Sequence, residues 1–200
     1  MPNPQLYLAS KSPRRRELLD QIGVRYAVIA AELEEIPLPG EAPEDYVIRI
    51  AMDKALAGRE LVPVESALPV LGADTAVVID GLILGKPRGQ QDAAAMLRRL
   101  SGRGHRVLSA VAVAGRDERT ALSVSEVRFR EIPDAEIHAY CDTGEPEDKA
   151  GGYGIQGLGA LFVTELRGSY SGVMGLPLYE TASLLNAEGV EILARRTSTE

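Results

Sequence analysis

The 200-residue chain carries one cysteine and two histidines. Cys141 alone cannot form an internal disulfide, and such scarcity suits a reducing compartment. His105 and His138 lie far apart in unrelated contexts, which argues against a zinc site. No apolar run approaches membrane-spanning length, and the N-terminus lacks the basic-then-apolar order of a signal peptide. The expectation is a cytoplasmic protein with no membrane partner. Net charge is -7, so a general basic surface is missing and a nucleic-acid polymer is not the expected partner. There is no internal repeat, no low-complexity segment and no G-x-x-x-x-G-K-[ST] phosphate loop. What remains, 26% charged and 45% hydrophobic residues, describes an ordinary globular chain. Its length allows one domain with two lobes around a shared cleft, residues 195–200 being a frayed tail.

Helices and strands alternate along the chain with hairpins between them, which predicts an α/β fold with a mixed, twisted sheet and flanking helices. Strands are expected at Leu6–Ala9, Tyr26–Ala30, Val70–Ile79, Leu82–Leu84, Arg106–Ala114, Leu122–Ile132, Leu161–Leu166 and Val190–Leu193. Asp80-Gly81 reads as the hairpin turn between the third and fourth of these. Helices are expected at Arg14–Ile22, Pro43–Ala57, Gln90–Leu100, Asp134–Cys141 and Pro177–Asn186. Residues 32–43 are acidic and Pro-rich, and Gly151–Gly159 is glycine-rich, so both read as loops.

The first helix breaks a local rule. Ser12 suits its N-cap and Pro13 its first position, yet Arg14, Arg15 and Arg16 then stand against the positive end of the macrodipole. An anion would resolve the conflict, since free backbone N–H groups, Ser10, Ser12 and guanidinium forks make a phosphate cradle. The plainer alternative is a solvated basic patch with Arg16 paired to Asp20. Asp74 interrupts an apolar strand, where a carboxylate is costly unless it is paired, hydrogen-bonded or metal-bound. A strand end facing a cleft would be a better place, with the carboxylate binding a divalent cation or taking a proton from water; capping a neighbouring loop is the structural alternative. Lys54 and Lys86 could each simply reach solvent. Together with Asp74 and the arginines they resemble a triphosphate-plus-metal site, to which Glu34 or Glu35 could add a ligand, although acidic pairs in loops are more often solvated.

Gly152-Tyr-Gly-Ile-Gln-Gly157 matches G-x-G-x-x-G but is followed by a strand-like run rather than a helix, so it does not read as a dinucleotide fingerprint. Close approach of backbone to a flat ligand is the better use for these glycines, with the Gln156 amide reading a base edge. Neither Ser10 nor Ser12 has the setting of a nucleophile elbow.

Several separated stretches, in order, resemble the Maf family of nucleoside triphosphate pyrophosphatases: Ala9-Ser-Lys-Ser-Pro-Arg-Arg15, Tyr46-Val-Ile-Arg-Ile-Ala-Met-Asp-Lys54, Gly72-Ala-Asp-Thr75, Gly85-Lys-Pro87, Asp148-Lys-Ala-Gly-Gly-Tyr-Gly-Ile-Gln-Gly157 and Gly175-Leu-Pro177. The resemblance implies a fold like that of the inosine triphosphate pyrophosphatases and cleavage of a nucleoside triphosphate to monophosphate and diphosphate with Mg²⁺ or Mn²⁺. It implies Asp74 as proton acceptor, Ser10, Arg15, Lys54 and Lys86 as phosphate contacts, Glu35 with Asp74 as metal ligands, and a homodimer. Arg14, Thr75 and Gln156 match the subgroup acting on dTTP and UTP. Glu34-Glu35 stands where many members carry Asp-Glu. Two rivals are a non-hydrolysing nucleotide-binding regulator of cell division and a nicotinamide-dependent oxidoreductase built on the glycine loop.

Overall fold

Ten consecutive residues, Val70–Ile79, form the strand on which the fold is built (β3), and nine of them are buried in the computed structural model. The structure describes residues 3–30 and 33–192. Such a strand must be covered on both faces, and it is. On one edge β3 runs antiparallel to β5 (Gly104–Ala114), from Val70 opposite Ala114 to Val78 opposite Arg106. Beyond β5 lie β6 (Glu118–Phe129) and β7 (Val163–Arg167), both antiparallel. The other edge is shared. The parallel strand β1 (Leu6–Leu8), itself followed by parallel β2 (Tyr26–Val28), pairs with Val70 and Leu71. The antiparallel return β4 (Leu82–Leu84) pairs with Val77 to Ile79. Residues 72–76 therefore have no strand partner on this edge, and a gap opens in the middle of the sheet.

Helices flank the sheet: α1 (Pro13–Gln21), α2 (Pro43–Glu60), α3 (Gln90–Leu100), α4 (Asp134–Asp142), α5 (Tyr170–Met174) and α6 (Leu178–Ala187). The helix α2 places Glu44 and Asp45 in its first turn and Arg59 in its last, as the macrodipole favours. It buries Val47, Ile50, Ala51, Ala55 and Gly58 against the sheet. Helix and strand meet with no side chain between them at Gly72, where a Cβ would lie 2.2 Å from the Ala51 carbonyl oxygen and 2.7 Å from the Ala55 nitrogen. Leu97, Leu100, Phe129 and Ile137 fill a second core under α3 and α4. Leu8, Leu19, Leu71, Val113 and Leu185 fill a third beneath α1 and α6.

Several boundaries differ from the sequence reading. The strand expected at Leu122–Ile132 begins at Glu118 and ends at Phe129, because the hairpin with β5 carries its pairing back to Ala114 opposite Glu118. A 3₁₀ segment, Leu158–Phe162, takes the start of the strand expected from Leu161. Residues 190–192 form no strand; Leu193 and the tail at 195–200 lie outside the described residues. The short helix α5 had no periodic signal to announce it. Ser12 is the N-cap of α1, but its side chain makes no capping bond; its backbone N–H donates to Ser10 Oγ at 3.2 Å. Asp20 takes the Tyr26 hydroxyl at 3.3 Å, while Arg16 is exposed.

Candidate functional site

The gap in the sheet is the floor of a cavity of about 850 Å³, large enough for a nucleotide-sized ligand. The N-terminus of α1, the middle of β3, the inner face of α2, the turn after β4 and the glycine loop all reach it. The site residues implied by the family resemblance all line it: Ser10, Arg14, Arg15, Glu35, Lys54, Asp74, Thr75, Lys86 and Gln156. Glu34 does not, and is exposed.

At one end three elements converge on a single ammonium. Lys54 Nζ, from α2, lies 2.8 Å from Asp74 Oδ1 and 2.9 Å from Glu35 Oε2. Asp74 is only 5% exposed, so the pairing answers the cost of burying it. It sits in the middle of β3, not at the strand end expected, and faces the cavity because β1 and β4 leave that stretch of edge open. Lys54 does not reach solvent as a lone lysine would; the close contact of α2 with Gly72 holds it over the carboxylate. Burial pushes the Glu35 carboxyl up, but Lys54, Lys86 and Arg15 more than reverse this, leaving it below the usual range. Lys86 is exposed at the rim. Tyr46, to which sequence reasoning gave no role, donates its hydroxyl to the Glu35 carbonyl at 3.3 Å, and burial followed by the Asp74 and Glu35 charges pushes it up to about 12.

The arginines divide their work. Arg15 donates from Nε to the Gly175 carbonyl at 2.8 Å and from Nη1 to Ser10 Oγ at 3.1 Å. Burial pulls its pKa down and the charges of Asp74 and Glu35 oppose this. Arg14 reaches across the cavity mouth to Asp148, Nη1 to Oδ2 at 2.7 Å and Nη2 to the carbonyl at 3.2 Å. Asp148 also takes Lys149 Nζ at 2.7 Å. Two hydroxyls have opposite polarity. Ser10 Oγ accepts from the Ser12 N–H and from Arg15, so its own proton is left for a ligand oxygen. Ser109 donates its proton to the Gly172 carbonyl, so the Thr75 hydroxyl donates inward, with Ser109 Oγ at 3.0 Å and the Gly175 carbonyl at 3.5 Å as its acceptors. Thr75 thus offers lone pairs to the cavity and suits an N–H or O–H group rather than a phosphate oxygen.

The other end is built from backbone. Gln156 is exposed to the cavity on a loop whose Gly151 and Gly152 have φ of +69° and +71°. Tyr153 beneath it is held by His105, Nε2 to Oη 2.9 Å, inside an edge-to-face cluster with Phe129. Ser109, Tyr46, Asp148 and Lys149 were missed as contributors. Asp148-Lys149 stood in a quoted motif, but only the fold shows that they face Arg14.

Among the described residues the lining holds six cationic side chains against three carboxylates, in a chain whose net charge is -7. A polyanion is the ligand that balances such a wall. No group of three or more His, Cys, Asp or Glu side chains is gathered among the described residues. The donor set still fits a hard divalent cation, because Asp74 and Glu35 each spend one carboxylate oxygen on Lys54 and keep the other, and phosphate oxygens complete such sites.

Fold and site together define an α/β protein with a mixed sheet and a central cavity for a phosphorylated ligand. The chain belongs to the Maf-like protein family, whose model matches residues 5–188. It is 56% identical over 186 residues to a protein of Alkalilimnicola ehrlichii named dTTP/UTP pyrophosphatase, covering 92% of each chain. It is 57% identical over 187 residues to one of the same name from Methylococcus capsulatus, covering 93% of this chain and 92% of that one. Among solved structures, the Staphylococcus aureus Ham1 protein superposes with a TM-score of 0.44 at 18% identity, over 64% of this chain and 72% of that one. Among the described residues no helix is long and apolar enough to cross a membrane.

Proposed function

We propose that this chain is a nucleoside triphosphate pyrophosphatase that hydrolyses dTTP and UTP to the monophosphate and diphosphate. The observation that carries the reading is the convergence of Asp74, Glu35 and Lys54 on one point beside the basic N-terminus of α1. The activity named for relatives at 56–57% identity supports the substrate class.

Ser10 and Arg15, with Lys86 at the rim, hold and neutralise the triphosphate. Asp74 orients the attacking water and accepts its proton, while Lys54 fixes the carboxylate and meets the negative charge that develops on phosphate oxygens. Asp74 and Glu35 would hold Mg²⁺ or Mn²⁺ together with the substrate, and the cation supplies charge neutralisation there. At the other end the Gln156 amide matches the donor–acceptor edge of uracil or thymine. Arg14 borders that end, and Thr75 accepts from a nucleoside N–H or O–H. A single domain with two lobes about the cleft, a homodimer and a cytoplasmic setting belong to the same reading.

The test is diphosphate release from dTTP, UTP, CTP and purine triphosphates, with and without Mg²⁺ or Mn²⁺. Release from dTTP and UTP in preference to the others is expected. Tight triphosphate binding with no release from any substrate would favour a regulator instead.

A further inference from the structure

The glycine loop has a carboxylate behind it that the proposed chemistry does not use. Glu145 opens the 3₁₀ turn Glu145–Asp148 after α4. Its Oε2 accepts from the Leu158 N–H at 2.9 Å, and its Oε1 from the Gly159 N–H at 3.1 Å and the Tyr140 hydroxyl at 2.8 Å. Tyr140 Oη in turn accepts from the Gly154 N–H at 3.1 Å. The loop carrying Gln156 is thus held at both ends by one carboxylate and its tyrosine. The glycine pattern follows: a Cβ at residue 157 would lie 2.5 Å from Glu145 Oε2, and one at 159 would lie 2.8 Å from the Gly154 carbonyl oxygen. These glycines make room for Glu145 and for the loop's own backbone. The same turn ends at Asp148, which grips Arg14, and Lys149 Nζ donates to the Glu145 carbonyl at 2.6 Å. Burial pushes the Glu145 carboxyl up, and the three hydrogen bonds and Lys149 pull it below the usual range, so it stays an acceptor.

We infer that Glu145 is a positioning residue for base recognition: through the Leu158 and Gly159 amides it fixes the loop that presents Gln156, and through its own turn it sets that loop against Arg14. The inference rests on the proposed hydrolysis of UTP. A glutamine at 145 keeps the shape, but its single oxygen cannot accept three donors and its NH₂ would oppose an N–H.

The experiment measures kcat and KM for UTP and CTP in the parent, Glu145→Gln and Tyr140→Phe. For Glu145→Gln the KM for UTP is expected to rise about tenfold and the UTP-over-CTP preference to fall about tenfold, the order seen when an outer positioning contact is lost. Its kcat should stay within about twofold, and Tyr140→Phe should move in the same direction by less. A Glu145→Gln enzyme that keeps the parent's base preference overturns the inference while leaving the hydrolase reading intact. So does one whose kcat falls with KM unchanged. If Glu145→Gln shows no cooperative thermal transition, Tyr140→Phe carries the test, and an unchanged preference there overturns it equally. A parent that cleaves neither triphosphate removes both readings.

Discussion

The two ends of the cavity are made of different materials. At the phosphate end, side chains from α1, α2, β3 and the segment before α2 meet as charges, and Lys54 alone bridges two carboxylates. At the base end the chain offers backbone amides, glycines and one exposed amide side chain, held from behind by Glu145 and Tyr140. Charge is strong over several ångströms and forgiving of direction, which suits a triphosphate with many equivalent oxygens. Hydrogen bonds from a fixed backbone are directional, which suits a flat base with a single donor–acceptor pattern. On the proposed function, catalytic power resides where the charges are, and selectivity where the backbone is pinned.

The sharpest way to break that division is Asp74→Asn. It should lower kcat about 10²–10⁴-fold, the span of a lost general base, with the ranking of bases unchanged. Diphosphate release across the substrate panel reads both quantities. Lys54→Met should lower kcat by about 10²-fold, the scale of one lost electrostatic contact. Added to Asp74→Asn it should cost far less than it does alone, since the two act as a unit; kcat for the two single variants and the double variant checks this. Gln156→Glu should lower kcat/KM for UTP about tenfold by placing a carboxylate, which only accepts, against the base carbonyl. Its kcat/KM for a guanine nucleotide should fall less, because the guanine edge presents N–H donors.

The smallest effect on activity is expected at His105, which sits behind Tyr153. Burial lowers its pKa to about 4, against about 6.5 in the unfolded chain. Between those values the unfolded state binds the extra proton. The native state is therefore fully favoured above about pH 6.5 and loses on the order of 3 kcal/mol as pH falls to about 4. Denaturant titrations of His105→Gln should show a flatter acid limb with little change in kcat.

Much of the phosphate end could be read from the chain because its residues break local rules. Arginines at a helix N-terminus and a carboxylate within an apolar strand are each improbable unless something balances them. What could not be read is their meeting point: Lys54 and Asp74 are twenty positions apart and join only because α2 lies directly on Gly72. The base end was legible in pattern and not in cause. The glycines stood out, but Glu145 is an ordinary acidic residue after a helix until the loop folds over it. The long strands and amphipathic helices declared themselves by periodicity. Helix α5 and the 3₁₀ segments did not, since five residues hold too little of any period.

Gly72 sets a limit on how this molecule can change. A methyl group there would collide with the main chain of α2, which has no rotamer by which to retreat, and the whole helix would have to rise off the strand. The separation of ammonium from carboxylate is therefore inherited from a contact between two backbones. Diversification has a free hand at Gln156, whose exposed side chain can be exchanged without moving its neighbours. In the seat of α2 it has none, so new substrates are within reach of this scaffold while a new geometry for the reacting groups is not.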